Sequence, residues 1–271
     1  MLGTRHSPAR TGNADGARPA GSQQLAAAAA IRDQAVTWVA GQVGHDVAVA
    51  CDAVTCSSLA ARGFPASNLT VLRPTAPDPY GSVLLIATAG IRSQFGSKLS
   101  SVYAPQVIAS FGTGSGRIDV RVVAARGPAA FRAAVSADLA ARKSSGAELL
   151  RNSHLTISAV ARDQLASGLV DLRLLTTLAF MAGQHPIDIV GFGGVAAGAD
   201  PDVPMRIVYL AESDAAAHLS GGTYVRALED VVHAETPPYV PLSVITTELA
   251  GGQPVLQIEF AAPSPLGLLR S

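Results

Sequence analysis

Four acidic side chains beside a predicted strand are the residues of this sequence best suited to chemistry. Asp200 and Asp202 precede a strand predicted at 205–211, and Glu212 and Asp214 follow it. A pair of carboxylates could bind a cation or carry out acid–base catalysis. Acidic residues beside prolines, as here, more often solvate a turn. The pattern favours the turn, with a cation-binding or catalytic pair as the alternative.

A glycine-rich turn lies between these acids and the preceding strand, which is predicted at 187–190. Gly191, Gly193 and Gly194 follow that strand directly. A phosphate loop requires a helix to begin at the glycines, so that its amide groups meet the phosphate. The residues that follow include ADPDVP, which cannot begin a helix soon enough. A nucleotide site is therefore disfavoured.

Cysteine and histidine spacing limits the other chemistries. None of the six histidines are spaced i, i+3 or i, i+4 on a helix, so a zinc site would need ligands from distant segments. Cys51 and Cys56 lie where a predicted strand ends and a predicted helix begins, which could bring the two sulfurs within disulfide range. A disulfide would imply an oxidising compartment. The alternative is two buried thiols in a cytosolic protein.

The charge balance excludes one class of partner. The chain has 20 basic and 20 acidic residues, and no basic patch is interleaved with aromatic residues. We therefore expect no binding of nucleic acid. The sequence contains no run of about 18 apolar residues, which is the length needed to span a membrane. Residues 1–24 are polar and predict a disordered tail, and a membrane anchor upstream of Met1 remains compatible with the sequence.

The elements that must position these residues form two predicted domains. Residues 25–126 alternate helices and strands, which predicts a small three-layer α/β domain with a largely parallel sheet. Residues 127–152 predict a linking helix. Residues 153–265 predict an α+β domain with an antiparallel sheet, because two apolar runs near its end flank a short glycine turn.

The first predicted domain carries a family resemblance. Its segments include AVTWVAGQV, VAVACDAVTCSSLAARGFP, SQFGS and IASFGTGSGRIDVRVV. With a helix that carries a tryptophan, an acidic residue after a strand and an FGxGxxRIDVR ending, residues 31–123 resemble the extracytoplasmic C-terminal domains of actinobacterial membrane glycosyltransferases. The resemblance implies a location outside the membrane and work in the cell envelope. It carries over no catalytic residue, because the transferase chemistry of those enzymes belongs to their membrane part.

The second predicted domain, residues 150–260, resembles actinobacterial envelope domains of the zinc D-alanyl-D-alanine carboxypeptidase type. The shared part is LRNSHLTISAVARDQLASGLVDLRLLTTLAFMAGQHPIDIVGFG. Asp200-Pro201-Asp202 stands where that family has its first zinc-binding histidine, and Gln257 stands where a late strand supplies a ligand histidine. A catalytic zinc needs three protein ligands and an open position. The resemblance therefore implies a non-catalytic descendant that holds no metal or other cofactor.

These observations lead to one expectation and its alternatives. We expect a non-catalytic, extracytoplasmic cell-envelope protein that binds an envelope protein or a cell-wall component. Its groove would be formed by Gly191, Gly193, Gly194, Asp200, Asp202 and Gln257, with the amides of Gly193 and Gly194 as donors and Asp200 or Asp202 as acceptors. One alternative is a cell-wall hydrolase, metal-dependent or acid–base, that uses Asp200, Asp202, Glu212 or Glu259. A scaffold attached to a membrane segment and a cytoplasmic location are the others.

Overall fold

Two five-stranded sheets, each with its own helices, make up the computed structural model of the chain. The structure describes residues 20–193, 196–212, 221–249, 252 and 254–268. The elements of the first half are α1 (Ala20–Gln42), β1 (Val49–Cys51), α2 (Ala53–Ala61), β2 (Leu69–Val71), β3 (Leu84–Ala87), α3 (Ala89–Phe95), β4 (Gln106–Phe111) and β5 (Ile118–Val122). Helix α4 (Pro128–Leu149) connects them to the second half. That half contains β6 (Leu155–Ile157), α5 (Ala159–Ala166), α6 (Leu172–Ala182), β7 (Ile187–Gly193), β8 (Ile207–Ala211), α7 (Gly221–His233), β9 (Ser243–Glu248) and β10 (Pro254–Glu259).

The first sheet has the strand order β2-β1-β3-β5-β4 and is buried on both faces. Alternate residues of β3 show this: Leu84 and Ile86 pack with α1 and α2, whereas Leu85 and Ala87 pack with α3. The predicted three-layer α/β arrangement is confirmed. The prediction of a largely parallel sheet is wrong, because β5 is antiparallel to both β3 and β4. The short loop at 112–117 explains the difference, since parallel neighbours need a much longer crossover.

The second sheet has the order β6-β7-β8-β10-β9 and is antiparallel except for the pair β6 and β7. Its apolar face packs against the helices of the second half, in a core that includes Leu174, Leu178, Ile189, Val208 and Ile258. The predicted α+β class with an antiparallel sheet is confirmed. The final hairpin, β9 and β10, is also as predicted.

Helix α1 begins earlier than the sequence suggested. It starts at Ala20, whereas the sequence predicted a disordered tail as far as residue 24. Residues 20–24 of the predicted tail are therefore helical, and residues 1–19 lie outside the described part of the chain. The buried face of α1 comprises Ala35, Val36, Trp38 and Val39. Polar residues in the first two turns do not prevent a helix that its later turns anchor in the core.

The two halves are joined by backbone hydrogen bonds at two places. Ala199 forms an antiparallel bridge with Ala109 of β4, beside bonds from Ser110 N to Gly198 O and from Asp200 N to Ile108 O. Ala262, after β10, forms a parallel bridge with Val43 at the end of α1. Its amide donates to the carbonyl of Gln42 over 2.6 Å.

Candidate functional site

The loop that precedes β8 docks on the first half of the molecule. Gly198 has φ +94° and lies against the ring of Phe111. A Cβ atom at this position would be 2.4 Å from a carbon of that ring, so only glycine permits this close approach. Asp202 N donates to Asp200 Oδ1 over 3.0 Å, which holds the next turn. The Asp-Pro-Asp segment is thus fixed between the halves of the chain.

The structure assigns the sequence-predicted residues to two regions. Gly191 and Gly193 belong to β7, and Gln257 belongs to β10. Gly191 and Gln257 both pair with Tyr209 of β8, so the three residues form one row across the second sheet. Asp200 and Asp202 lie in the docked loop. Gly194 and Asp214 lie outside the described residues.

A crevice opens beside the docked loop, between the two halves. Its volume is about 70 Å³, which is room for a group of a few heavy atoms. Six separate segments supply its walls: α1, strands β4 and β5, helix α4, the loop that precedes β8 and the residues that follow β10. The polar side chains in these walls are Trp38, Gln106, Asp138, Arg142, Asp202, Arg206 and Ser264. Of the predicted residues described, only Asp202 lines it.

A buried ion pair on α4 forms one wall. Arg142 Nε donates to Asp138 Oδ2 over 2.8 Å, at i, i+4 spacing on the helix. Arg142 also donates to the carbonyl of Gly168. Burial raises the pKa of Asp138 above its ordinary value, and the hydrogen bond from Arg142 offsets this only in part. The charge of Arg142 is therefore engaged within the wall.

Arg206 also lines the crevice and has no carboxylate of the described residues within ion-pair distance. Its side chain donates to the carbonyl of Phe260 and, over 2.9 Å, to Gln42 Oε1, both of which are neutral groups. The residue is only 4% exposed. Within the described part of the chain it forms no ion pair. Burial lowers the pKa of Arg206, while Glu259 and Asp171 raise it from beyond ion-pair distance.

Trp38 contributes a buried donor that has no acceptor. The residue is 6% exposed, and its indole ring packs at a tilt against Phe111. The indole Nε1–H is buried and has no hydrogen-bond acceptor. A buried donor without a partner costs about 1–3 kcal/mol. An acceptor bound in the crevice would relieve this cost.

A hydrogen-bond network around Asp171 holds the residues after β10 that line the crevice. Asp171 caps α6 by accepting from Arg173 N, and the Arg173 guanidinium donates to both carboxylate oxygens. Ser264 Oγ donates to Asp171 Oδ2 over 2.6 Å. Arg173 also donates to Ala261 O and lies over the ring of Phe260. Burial opposes ionisation of Asp171, yet the bonds from Arg173 keep its pKa below the ordinary value.

A second polar cluster, which the sequence analysis did not assign to a site, lies at the ends of β1 and β3. Asp52 caps α2 through Thr55 N and accepts from Thr88 Oγ1 over 2.7 Å. Burial opposes its ionisation, but these bonds outweigh it and lower the pKa of Asp52. The carboxylate of Asp52 thus joins β1, α2 and β3 from within the protein. A structural role accounts for it.

The two cysteines border this cluster. Cys51 ends β1 and Cys56 lies in α2, and they form a disulfide with their Cα atoms 5.5 Å apart. Both residues are buried. The bond ties the first sheet to the helix that Asp52 caps.

The described residues contain neither a metal-binding cluster nor a membrane-spanning helix. There, no group of three or more histidine, cysteine, aspartate or glutamate side chains could hold a metal ion. Across the same residues, no helix is both long and apolar enough to cross a bilayer. No protein-family model, curated protein or solved structure matches this chain. The side chains that line the crevice are therefore what indicates its function.

Proposed function

We propose that this chain is a non-catalytic, extracytoplasmic protein of the actinobacterial cell envelope that binds a cell-wall component or an envelope protein in the crevice. The two family resemblances support the envelope assignment. The Cys51–Cys56 disulfide supports an oxidising compartment, since reduced thiols prevail in the cytosol.

One observation carries the assignment of the crevice. Trp38 and Arg206 both line it. The indole N–H of Trp38 is buried without an acceptor, and the buried guanidinium of Arg206 bonds only neutral groups, with no carboxylate of the described residues within ion-pair distance. Convergent donors in a partly apolar cavity are typical of small-molecule sites. Asp202 adds a carboxylate from the loop in which the sequence predicted binding residues.

Intrinsic fluorescence offers a direct test. Trp38 is the only tryptophan of the chain, so its emission reports on the crevice alone. We expect soluble peptidoglycan fragments or envelope extract to change this emission saturably. Val135→Phe, which fills the crevice from α4, should abolish the change. Val160→Phe, on the exposed face of α5, is the matched control and should leave it intact.

Two outcomes would count against the proposal. The first is a fluorescence response that Val135→Phe leaves intact, since binding would then lie elsewhere. The second concerns the compartment: free thiols at Cys51 and Cys56 in protein isolated from its native source, as read by mass spectrometry of the peptides, would oppose an extracytoplasmic location.

A hydrolase is the second candidate, and one observation favours it. Asp138, a buried carboxyl with a raised pKa, shares the crevice with Asp202. Two carboxyl groups in different environments are the usual arrangement for acid–base work. Hydrolysis of peptidoglycan fragments that Asp138→Asn abolishes, or stoichiometric divalent metal in the purified protein, would replace the leading proposal.

A further inference from the structure

We propose that the crevice binds a carboxylate group, held by the guanidinium of Arg206 and the indole N–H of Trp38. This inference rests on the proposed function, because it names the chemistry of what enters the same crevice. It assigns Arg206 and Trp38, which the sequence analysis did not single out, as the residues that determine specificity.

The state of Arg206 is the first step of the argument. A guanidinium has five N–H donors in a planar fork, and the structure uses two of them on neutral acceptors. Buried charges in proteins are normally paired, because desolvating an unpaired ion is costly. A carboxylate would supply the missing negative charge, and its two oxygens match the geometry of the fork.

Trp38 provides the second step, because its indole N–H also favours a ligand that accepts hydrogen bonds. Indole N–H is a donor only, and here it is buried and without an acceptor. The indole N–H therefore requires an acceptor from the ligand, and Arg206, whose partners are neutral, favours an acceptor with a negative charge. A carboxylate accepts at both oxygens and donates at neither.

The other charged groups of the crevice fix the charge of the ligand. The carboxylate of Asp138 is bound by Arg142, so this pair contributes little net charge. Asp202 is exposed and repels an anion from the edge of the crevice. Arg206 is the cation with no carboxylate of the described residues within ion-pair distance, and Glu259 and Asp171 act on it only from farther away. A single negative charge neutralises it, whereas a phosphate dianion would bring a second charge with no partner.

The size of the crevice limits how much of the ligand is enclosed. A volume of about 70 Å³ holds a carboxylate and a small substituent, and any remainder of the ligand must extend outside. The carboxylate could belong to a free acid or to the C-terminus of a peptide. The experiment below separates these sources.

The full-length chain labelled with ¹⁵N gives the test, because its only indole N–H resonance belongs to Trp38. Four probes are titrated: acetate, glycylglycine, glycylglycine amide and inorganic phosphate. We expect acetate and glycylglycine to shift this resonance saturably, and the amide and phosphate to leave it in place. Stronger binding of glycylglycine than of acetate would identify a peptide terminus, and the reverse a free acid.

Two variants test the assigned residues. Arg206→Lys keeps the charge but loses the fork, and should weaken binding about tenfold. Arg121→Lys is its control, because Arg121 is a buried arginine of the first sheet that does not line the crevice. If Arg206→Lys fails to fold, Asp202→Asn still tests the assignment. Asp202→Asn removes the repulsion between the Asp202 carboxylate and a bound anion, and should strengthen binding about two- to fivefold. Glu148→Gln removes an exposed carboxylate of α4 and is the control, which should leave binding unchanged.

The outcomes separate this inference from the proposed function. Equal shifts with glycylglycine and its amide, or a stronger shift with phosphate, would overturn the carboxylate assignment. So would saturable binding of cell-wall fragments in the fluorescence assay when no carboxylate probe shifts the indole resonance, and the proposed function would then still stand. If neither fragments nor carboxylates perturb Trp38, both fail.

Discussion

Replacing Asp171 with asparagine should destabilise the fold by about 3–5 kcal/mol, because it leaves the buried guanidinium of Arg173 without its carboxylate. Asp171 is fully buried, and Arg173 donates to both of its oxygens at 3.0 and 2.7 Å. Asparagine has the same shape and is as good a helix N-cap as aspartate. The loss therefore reports the charge, while the cap of α6 is retained.

Urea denaturation measures this loss directly. In a thermal scan it should lower Tm by about 10 °C for a chain of this size. Asp33→Asn, which breaks the exposed pair of Asp33 with Arg62, is the control and should cost less than about 1 kcal/mol. The double variant Asp171→Asn/Arg173→Met should be far less unstable than the two single losses added together.

The pH dependence of stability provides a second readout of the same variant. The pKa of Asp171 is lowered in the folded state, so its stabilisation is present above the unfolded value, and it is lost as the pH falls through the folded value. Asp171→Asn should therefore flatten the loss of stability in acid. A cost below about 1 kcal/mol at neutral pH, or strict additivity in the double variant, would refute our account of this network.

Three further substitutions test other parts of the fold. Gly198→Ala, at positive φ against an aromatic ring, should cost about 3 kcal/mol in urea unfolding, while Gly63→Ala, at similar φ in open space, should cost about 1 kcal/mol. Replacing both Cys51 and Cys56 with serine should lower the free energy of unfolding by about 2 kcal/mol. An unchanged midpoint of urea unfolding would contradict this. Asp52→Asn should reduce the loss of stability below pH 3.8, because the pKa of Asp52 is lowered on folding, and an unchanged acid limb would argue against its hydrogen bonds.

Apolar periodicity in the sequence predicted the α/β class of the first half and the antiparallel sheet of the second half. The strands that the sequence predicted at 187–190 and 205–211 correspond to β7 and β8, and the predicted hairpin is that of β9 and β10. The missed elements, α3, β6 and α5, are short and carry too few residues for a period to appear. Strand direction in the first sheet depended on the length of one loop, which the apolar pattern does not report.

The crevice could not be predicted in the same way. Its walls combine Trp38, Asp138 and Arg206, which are far apart in sequence and meet only when the halves dock. The aspartate-rich loop was a useful signal, since Asp202 lines the crevice. Arg206 gave no signal, because its lack of a carboxylate partner is a property of the folded chain.

The two backbone bridges between the halves have a consequence for how this protein can evolve. The amides of Asp200 and Ala262 donate to carbonyls of the first half, and any residue except proline carries such an amide. These two bonds therefore depend little on which side chains are present at positions 200 and 262. Side chains of the crevice can therefore be substituted during evolution while the two backbone contacts between the halves are kept. New ligand preferences can arise in this way without a change of fold.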